Sequence, residues 1–261
     1  MTSAASTEPA FQADPPSWFL AALEASVETG SVTVDGTPIS YRAFGGRRDS
    51  GIVLVHGGAA HARWWDHIAP LLAERARVVA IDLSGHGDSG RRDVYTLDCW
   101  ADEVLAAARD QRAFGPLRVY PTREAAIARF HPIPDQPALP YVVAHVAATS
   151  IGAVEGRDRG WSWKFDPRVF GRPPLTPKLL TRLDCRVALF RAEHGIVNPE
   201  TSELMYDRLG RRAPLIQIPA AGHHVMLDHP IALVTGLRTL LADWDHSTPI
   251  GEQIQPRRAG S

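Results

Sequence analysis

The chain has 261 residues, a 44% hydrophobic share and a formal net charge of -1 from 28 basic and 29 acidic residues. That length is enough for one α/β domain with a substantial core, with or without a small inserted subdomain. The near-neutral charge removes the electrostatic case for nucleic acid or an anionic membrane, and Cys99 and Cys185 are too few for a disulfide framework and sit in no metal-ligand spacing.

Met1 to Ser17 is polar and rich in Ala, Ser and Pro, without the charged start and apolar stretch of a secretory signal. No apolar run approaches the roughly 20 residues that a bilayer span needs. The expectation is a cytoplasmic protein with disordered tails at 1–16 and 247–261 and no membrane partner. The spacing predicts a helix over Ser17 to Val27, then strands Ser31 to Val34 and Ile39 to Phe44 joined by a hairpin at Asp35-Gly36. Two continuous apolar runs follow, one ending at His56-Gly57-Gly58 and one over Arg77 to Asp82, as expected of parallel strands covered on both faces. Between them Trp65, Ile68, Leu71 and Leu72 recur at helical spacing, which supplies a βαβ crossover.

A helix is predicted around Leu97, Trp100, Val104 and Leu105. The middle of the chain then departs from strand–helix alternation. Residues 115–183 read as a mostly helical lid, with helices over Thr122 to Phe130 and Tyr141 to Val154, a Pro-rich stretch between them, and the aromatic segment Gly160-Trp-Ser-Trp-Lys-Phe-Asp-Pro167. Alternation resumes with strands Arg186 to Phe190 and Leu215 to Ile218 and a closing helix carrying Leu233, Leu237, Leu240 and Trp244 on one face. The expected fold class is therefore an α/β doubly wound, mostly parallel sheet, with core segments 17–114 and 184–246 on either side of the insertion.

Three segments carry chemistry. His56-Gly57-Gly58 ends a strand with glycines, which let backbone N–H groups approach a developing oxyanion. Asp82-Leu-Ser-Gly-His-Gly-Asp-Ser-Gly90 follows the next parallel strand, and Pro219-Ala-Ala-Gly-His223, with Asp228 and Pro230 beyond it, follows the last strand. Together these segments resemble the α/β-hydrolase family in a lid-bearing branch, over about Trp18 to Trp244. The resemblance implies hydrolysis of an ester-like or other small hydrophobic substrate by a Ser-His-acid mechanism. It assigns Gly58 as an oxyanion donor and His223 as the general base, and it implies no cofactor.

The resemblance breaks at the nucleophile. The family carries it on a Gly-x-Ser-x-Gly turn between a strand and a helix, where small flanking residues permit the strained geometry. Here the corresponding stretch, Asp110 to Thr122, has no such turn. A strand, the elbow helix and another strand, on the order of 50 residues, are missing between about Ala106 and Gly115. The sheet is expected to lack its two central strands.

Four substitutes are weighed. Ser150 lies in a small-x-Ser-x-Gly pattern within a lid helix, Thr122 suits a helix cap, Ser89 is a turn residue with Arg91 where the second glycine should stand, and the cysteines read as small core residues. For the acid, Glu193 is the nearest carboxylate because Gly195 occupies the expected place; alternatively the acid followed a missing strand. Gly85-x-Gly-x-x-Gly90 does not open an apolar helix, which speaks against a dinucleotide site, and His56, His61 and His67 fit no zinc spacing. The leading expectation is an inactive or strongly impaired hydrolase. A non-catalytic binder of a small hydrophobic molecule, with Trp161, Trp163 and Phe165 as its apolar wall, and an active enzyme using Ser150 or Thr122 remain open, as does self-association through exposed sheet edges.

Overall fold

The computed structural model describes residues 14–45, 51–96, 99–100, 119–154, 159–166, 180 and 185–247. Most of the helix expected around residues 97–108, most of both tails and residues 110–118 of the stretch without a nucleophile turn lie outside these residues. Helix α1 (Ser17–Glu24) leads into β1 (Val27–Val34) and β2 (Thr37–Phe44), which pair antiparallel in continuous register from Val27↔Phe44 to Val34↔Thr37. The turn between them has positive φ at both Asp35 (45°) and Gly36 (75°), which matches the right-handed twist of a two-residue hairpin. The first helix ends three residues earlier than expected because β1 begins at Val27, where pairing with β2 satisfies the backbone.

Strand β3 (Gly51–Leu54) runs parallel to β4 (Arg77–Ile81), and β4 pairs antiparallel with β2, so this sheet has the order β1-β2-β4-β3. The crossover is not one helix. It is a 3₁₀ turn over Ala62–Trp65 followed by α2 (Ala69–Leu72), with Pro70 at the start of the latter. The apolar spacing still does its work: Ile68, Ala69 and Leu72 are buried against Phe44, Leu54 and Val78. Each fully buried aliphatic side chain of this cluster contributes about 1.5–3 kcal/mol.

In the middle segment Thr122 accepts the Ala125 N–H and caps α3 (Arg123–Ile127), in agreement with the capping role expected of it. Helix α4 (Pro140–Thr149) stops five residues short of the expected end. From Ile151 the chain instead forms β5 (Ile151–Val154), paired antiparallel with β6 (Gly160–Trp163), so the aromatic stretch is partly strand. Alternating β-branched and aromatic side chains favour the pleated surface over a helix. Among its described residues the segment is thus two helices and a hairpin.

The last part comprises β7 (Leu189–His194), α5 (Pro199–Arg208), β8 (Leu215–Gly222), the short α6 (Val225–Asp228) and α7 (Pro230–His246). Strands β7 and β8 are parallel and form a sheet of their own. Helix α7 joins the two sheets: Val234 belongs to the cluster around Phe44 and Leu54, while Leu233 packs on Ile218 and Ala221. Gly236 lets β7 approach this helix, since a Cβ there would lie 2.7 Å from the Phe190 ring. Among the described residues β3 pairs only with β4, and β7 only with β8; Val53 on β3 is 55% exposed.

Candidate active site

Three loops stand at the carboxyl ends of the parallel strands, where open α/β sheets gather their ligand sites. After β3, His56 is buried and uses both ring nitrogens on backbone: Nδ1–H donates to Gly57 O (2.8 Å), and Nε2 accepts the Leu83 N–H (3.1 Å). It therefore ties the loop after β3 to the loop after β4. Burial lowers its pKa to about 4, so it is a neutral structural imidazole. Gly57 and Gly58 form the exposed turn beyond it, followed by Ala59 at φ 60°.

The loop after β4 is built around Asp82. Its Oδ1 accepts the Ala62 N–H (2.7 Å) and its Oδ2 the Asp88 N–H (2.8 Å), so one carboxylate shapes two loops. Burial raises its pKa to about 6 against the opposing effect of those two bonds. Gly87 is required here: its φ is +54°, and a Cβ would sit 2.2 Å from the Asp82 carboxyl carbon. Ser89 donates its hydroxyl to Asp82 O (2.7 Å) and accepts the Ser40 N–H (2.7 Å), the bonding of a turn residue.

The loop after β8 holds the candidate base. His223 is half-buried, and burial followed by the charge of His224, whose ring centre is 4.8 Å away, lowers its pKa below 6.5. It is neutral at physiological pH, as a general base must be. Its ring makes no hydrogen bond among the described residues. Gly195, at the end of β7, lies against it, with the position of a Cβ 3.6 Å from His223 Cα. The Glu193 carboxylate accepts the Ala220 N–H (2.8 Å), supporting a residue at φ 58°, and forms no bond with His223. The loop after β3 reaches this one through Trp64, whose ring centre is 5.5 Å from that of His224, and through His67, whose Nε2–H donates to Met226 O (2.8 Å).

One histidine–serine pair escaped the sequence analysis. His61 Nε2 lies 3.0 Å from Ser150 Oγ, and both residues are buried. The pair is not an activated nucleophile. Ser150 Oγ is only 2.7 Å from Val146 O, so its single proton goes to that carbonyl. The hydroxyl then accepts from His61 Nε2–H, which leaves the imidazole no lone pair facing the serine. Since the partners are 89 positions apart, no local motif could have signalled the pair.

Other polar groups near the loops are structural. Asp66, buried, receives Arg42 and Arg63 and is bonded to His145 of α4, and these partners hold its pKa below 3.8 despite burial. The aromatic stretch packs within the middle segment: the Trp163 ring centre is 6.1 Å from those of Tyr120 and Phe130, and Phe165 lies against the cluster of Tyr95 and Trp100. Among the described residues no three His, Cys, Asp or Glu side chains are grouped to hold a metal, and no helix is long and apolar enough to cross a membrane.

Comparison with known proteins agrees with this frame. Residues 52–154 match the sequence model of the Alpha/beta hydrolase family. A pimeloyl-[acyl-carrier protein] methyl ester esterase of Klebsiella pneumoniae is 32% identical over 87 residues, 33% of this chain and 34% of that protein. A haloalkane dehalogenase of Bradyrhizobium diazoefficiens is 31% identical over 68 residues, 26% of this chain and 22% of the dehalogenase. These matches span no more than 34% of the length of either curated relative. Among solved structures, E-2-(acetamidomethylene)succinate hydrolase superposes with a TM-score of 0.67 at 16% identity, covering 83% of this chain and all of that one. An alpha/beta hydrolase from Novosphingobium aromaticivorans gives 0.60 at 18% identity, covering 84% and 99% of the two chains. The chain therefore has the α/β-hydrolase fold over most of its length, and its residues 52–154 match the sequence model of that family.

Proposed function

We propose that this protein keeps the substrate frame and general base of an ester-type α/β hydrolase but lacks the nucleophile, so that it binds a small apolar carbonyl compound without efficient Ser-His-acid turnover. The observation that carries this reading is the asymmetry of the site. A neutral, half-buried His223 stands at the end of β8, while the sequence has no Gly-x-Ser-x-Gly turn, and the hydroxyl of Ser150, the serine bonded to a buried histidine, gives its proton to Val146. Gly58 is the proposed oxyanion donor and residues 115–183 the proposed lid. The pairing of β3 with β4 alone and of β7 with β8 alone, among the described residues, supports the loss of the two strands that would join them. Loss of the nucleophile reduces turnover by several orders of magnitude in enzymes of this mechanism.

Intact-mass analysis after fluorophosphonate treatment tests the proposal, with p-nitrophenyl butyrate hydrolysis followed in parallel. The expected result is no adduct and no His223-dependent hydrolysis, beside full labelling of an ordinary serine hydrolase. A single Ser or Thr adduct that disappears in His223→Ala would overturn it. The open edges of β3 and β7 are also proposed to pair between copies, because unpaired ladder groups recruit another strand. Light scattering should then show concentration-dependent association that Val53→Lys weakens, and a monomer at all concentrations would refute this.

A further inference from the structure

The connection between α3 and α4 is fastened to the histidine loop on both sides of His223. Gln136 Oε1 accepts the His224 N–H at 2.7 Å. Its Nε2 donates to Asp228 Oδ2 (3.2 Å) and to His224 O (3.4 Å). Asp228 Oδ2 in turn accepts the Gly222 N–H at 2.5 Å. The backbone N–H groups of the two residues flanking His223 are therefore held by two side chains that are bonded to each other. Two further ties close the seam: His224 Nε2–H donates to Ile133 O (2.9 Å), and Leu139 N–H donates to Leu227 O (2.8 Å). The approach is close: a Cβ at 222 would lie 2.8 Å from the Gln136 amide and 3.0 Å from Asp228 Oδ2, so a larger residue there would push the clasp side chains aside.

His223 has no hydrogen bond of its own among the described residues, so the backbone clasp is what sets where its ring stands. We infer that Gln136, acting through His224 and Asp228, is a positioning residue for His223 and couples the α3–α4 connection to the base. The inference rests on reading His223 as the base, yet its test reads the imidazole directly. It also gives His224 a role beyond adjacency, as the second tie. A ligand that displaced the α3–α4 connection would move His223 with it.

The test is a pH titration of ¹³Cε1-labelled histidine in the whole chain, with the His223 signal identified by its loss in His223→Asn. The titratable groups around the ring are His224 at 4.8 Å, with Asp228 and Glu193 bonded to the neighbouring backbone. In the unaltered chain His223 should give one sharp signal titrating below 6.5. Gln136→Ala should broaden or split it and move its midpoint upward by about half a unit or more as the ring becomes hydrated. Gln136→Glu removes the donor and sets a second carboxylate against Asp228, so it should act in the same direction.

Gln136→Met keeps the length of the side chain but removes both the acceptor for the His224 N–H and the donor to Asp228 Oδ2, so it should broaden the signal and raise its midpoint as Gln136→Ala does. A His223 titration in Gln136→Ala superimposable on that of the unaltered chain would overturn the inference, as would a folded Gln136→Met chain whose His223 signal is unchanged. If Gln136→Ala loses the native circular dichroism spectrum, Gln136→Met alone decides. A clasp that passes this test in a chain that also gives a His223-dependent fluorophosphonate adduct would leave the positioning claim intact and overturn the reading of a lost nucleophile.

Discussion

Acid should weaken this fold in a pH window that the buried histidines define. Burial lowers the pKa of His56 and of His67 to about 4 from an ordinary 6.5, while the unfolded chain titrates near that ordinary value. A depressed histidine contributes stability that is fully present above 6.5 and lost as the pH falls toward 4, because protons then bind the unfolded chain first. Between about pH 7.5 and pH 5 each of the two costs about 2 kcal/mol by this linkage. Asp82 works in the opposite direction. Its pKa is raised from 3.8 to about 6, so its protonation stabilises the folded state as the pH falls, by about 1.4 kcal/mol over the same interval. The net loss from these three groups is about 2–3 kcal/mol, and His61 and His86, also lowered well below 6.5 by burial, add to it. Urea unfolding at the two pH values measures the difference; at an m-value of about 2–3 kcal/mol/M the midpoint should drop by at least about 1 M. His67→Gln keeps a donor for Met226 O and removes one titrating group, so it should recover about 2 kcal/mol of that loss. A midpoint that is unchanged or higher at the lower pH would refute the reasoning.

Other consequences follow from single contacts. Gly195→Asp would set a carboxylate beside His223 with only a tight fit against Ala192, whose Cβ lies 3.1 Å from the new Cβ. The His223 titration should move up by about one unit, and no change would mean that this position does not face the imidazole. Gly87→Ala drives a methyl into the Asp82 carboxylate at a positive φ, and should cost about 2–4 kcal/mol by thermal unfolding. Ser150→Ala leaves His61 Nε2–H without its acceptor in a buried site and should cost about 1–3 kcal/mol, without changing any fluorophosphonate labelling.

Much of the frame was legible because its signals are local. The Asp35-Gly36 turn, the apolar runs of β3 and β4 and the cap at Thr122 depend on backbone preferences and burial patterns within a few residues. The errors fall where local preference competes with pairing. Residues 151–154 read as the end of a helix, but Ile151, Gly152 and Ala153 gain ladder partners in Trp163, Ser162 and Trp161, ten or so residues away by a hairpin that helical spacing does not register. The crossover after β3 likewise has the apolar spacing of one helix, yet Pro70 divides it into a 3₁₀ turn and a short helix that bury the same side chains.

The sequence by itself determined the match of residues 52–154 to the α/β-hydrolase family model, the absence of a Gly-x-Ser-x-Gly turn and the histidine after the last strand, since each is written in residue types at short spacing. The tertiary structure alone decided how those residues are employed. It gave the Ser150 proton to Val146 while bringing His61 to the same hydroxyl, turned Glu193 toward Ala220, and fastened His224 and Gln136 together across 88 positions. Hydrogen-bond direction and long-range contact depend on where whole elements pack, and no periodicity along the chain encodes that.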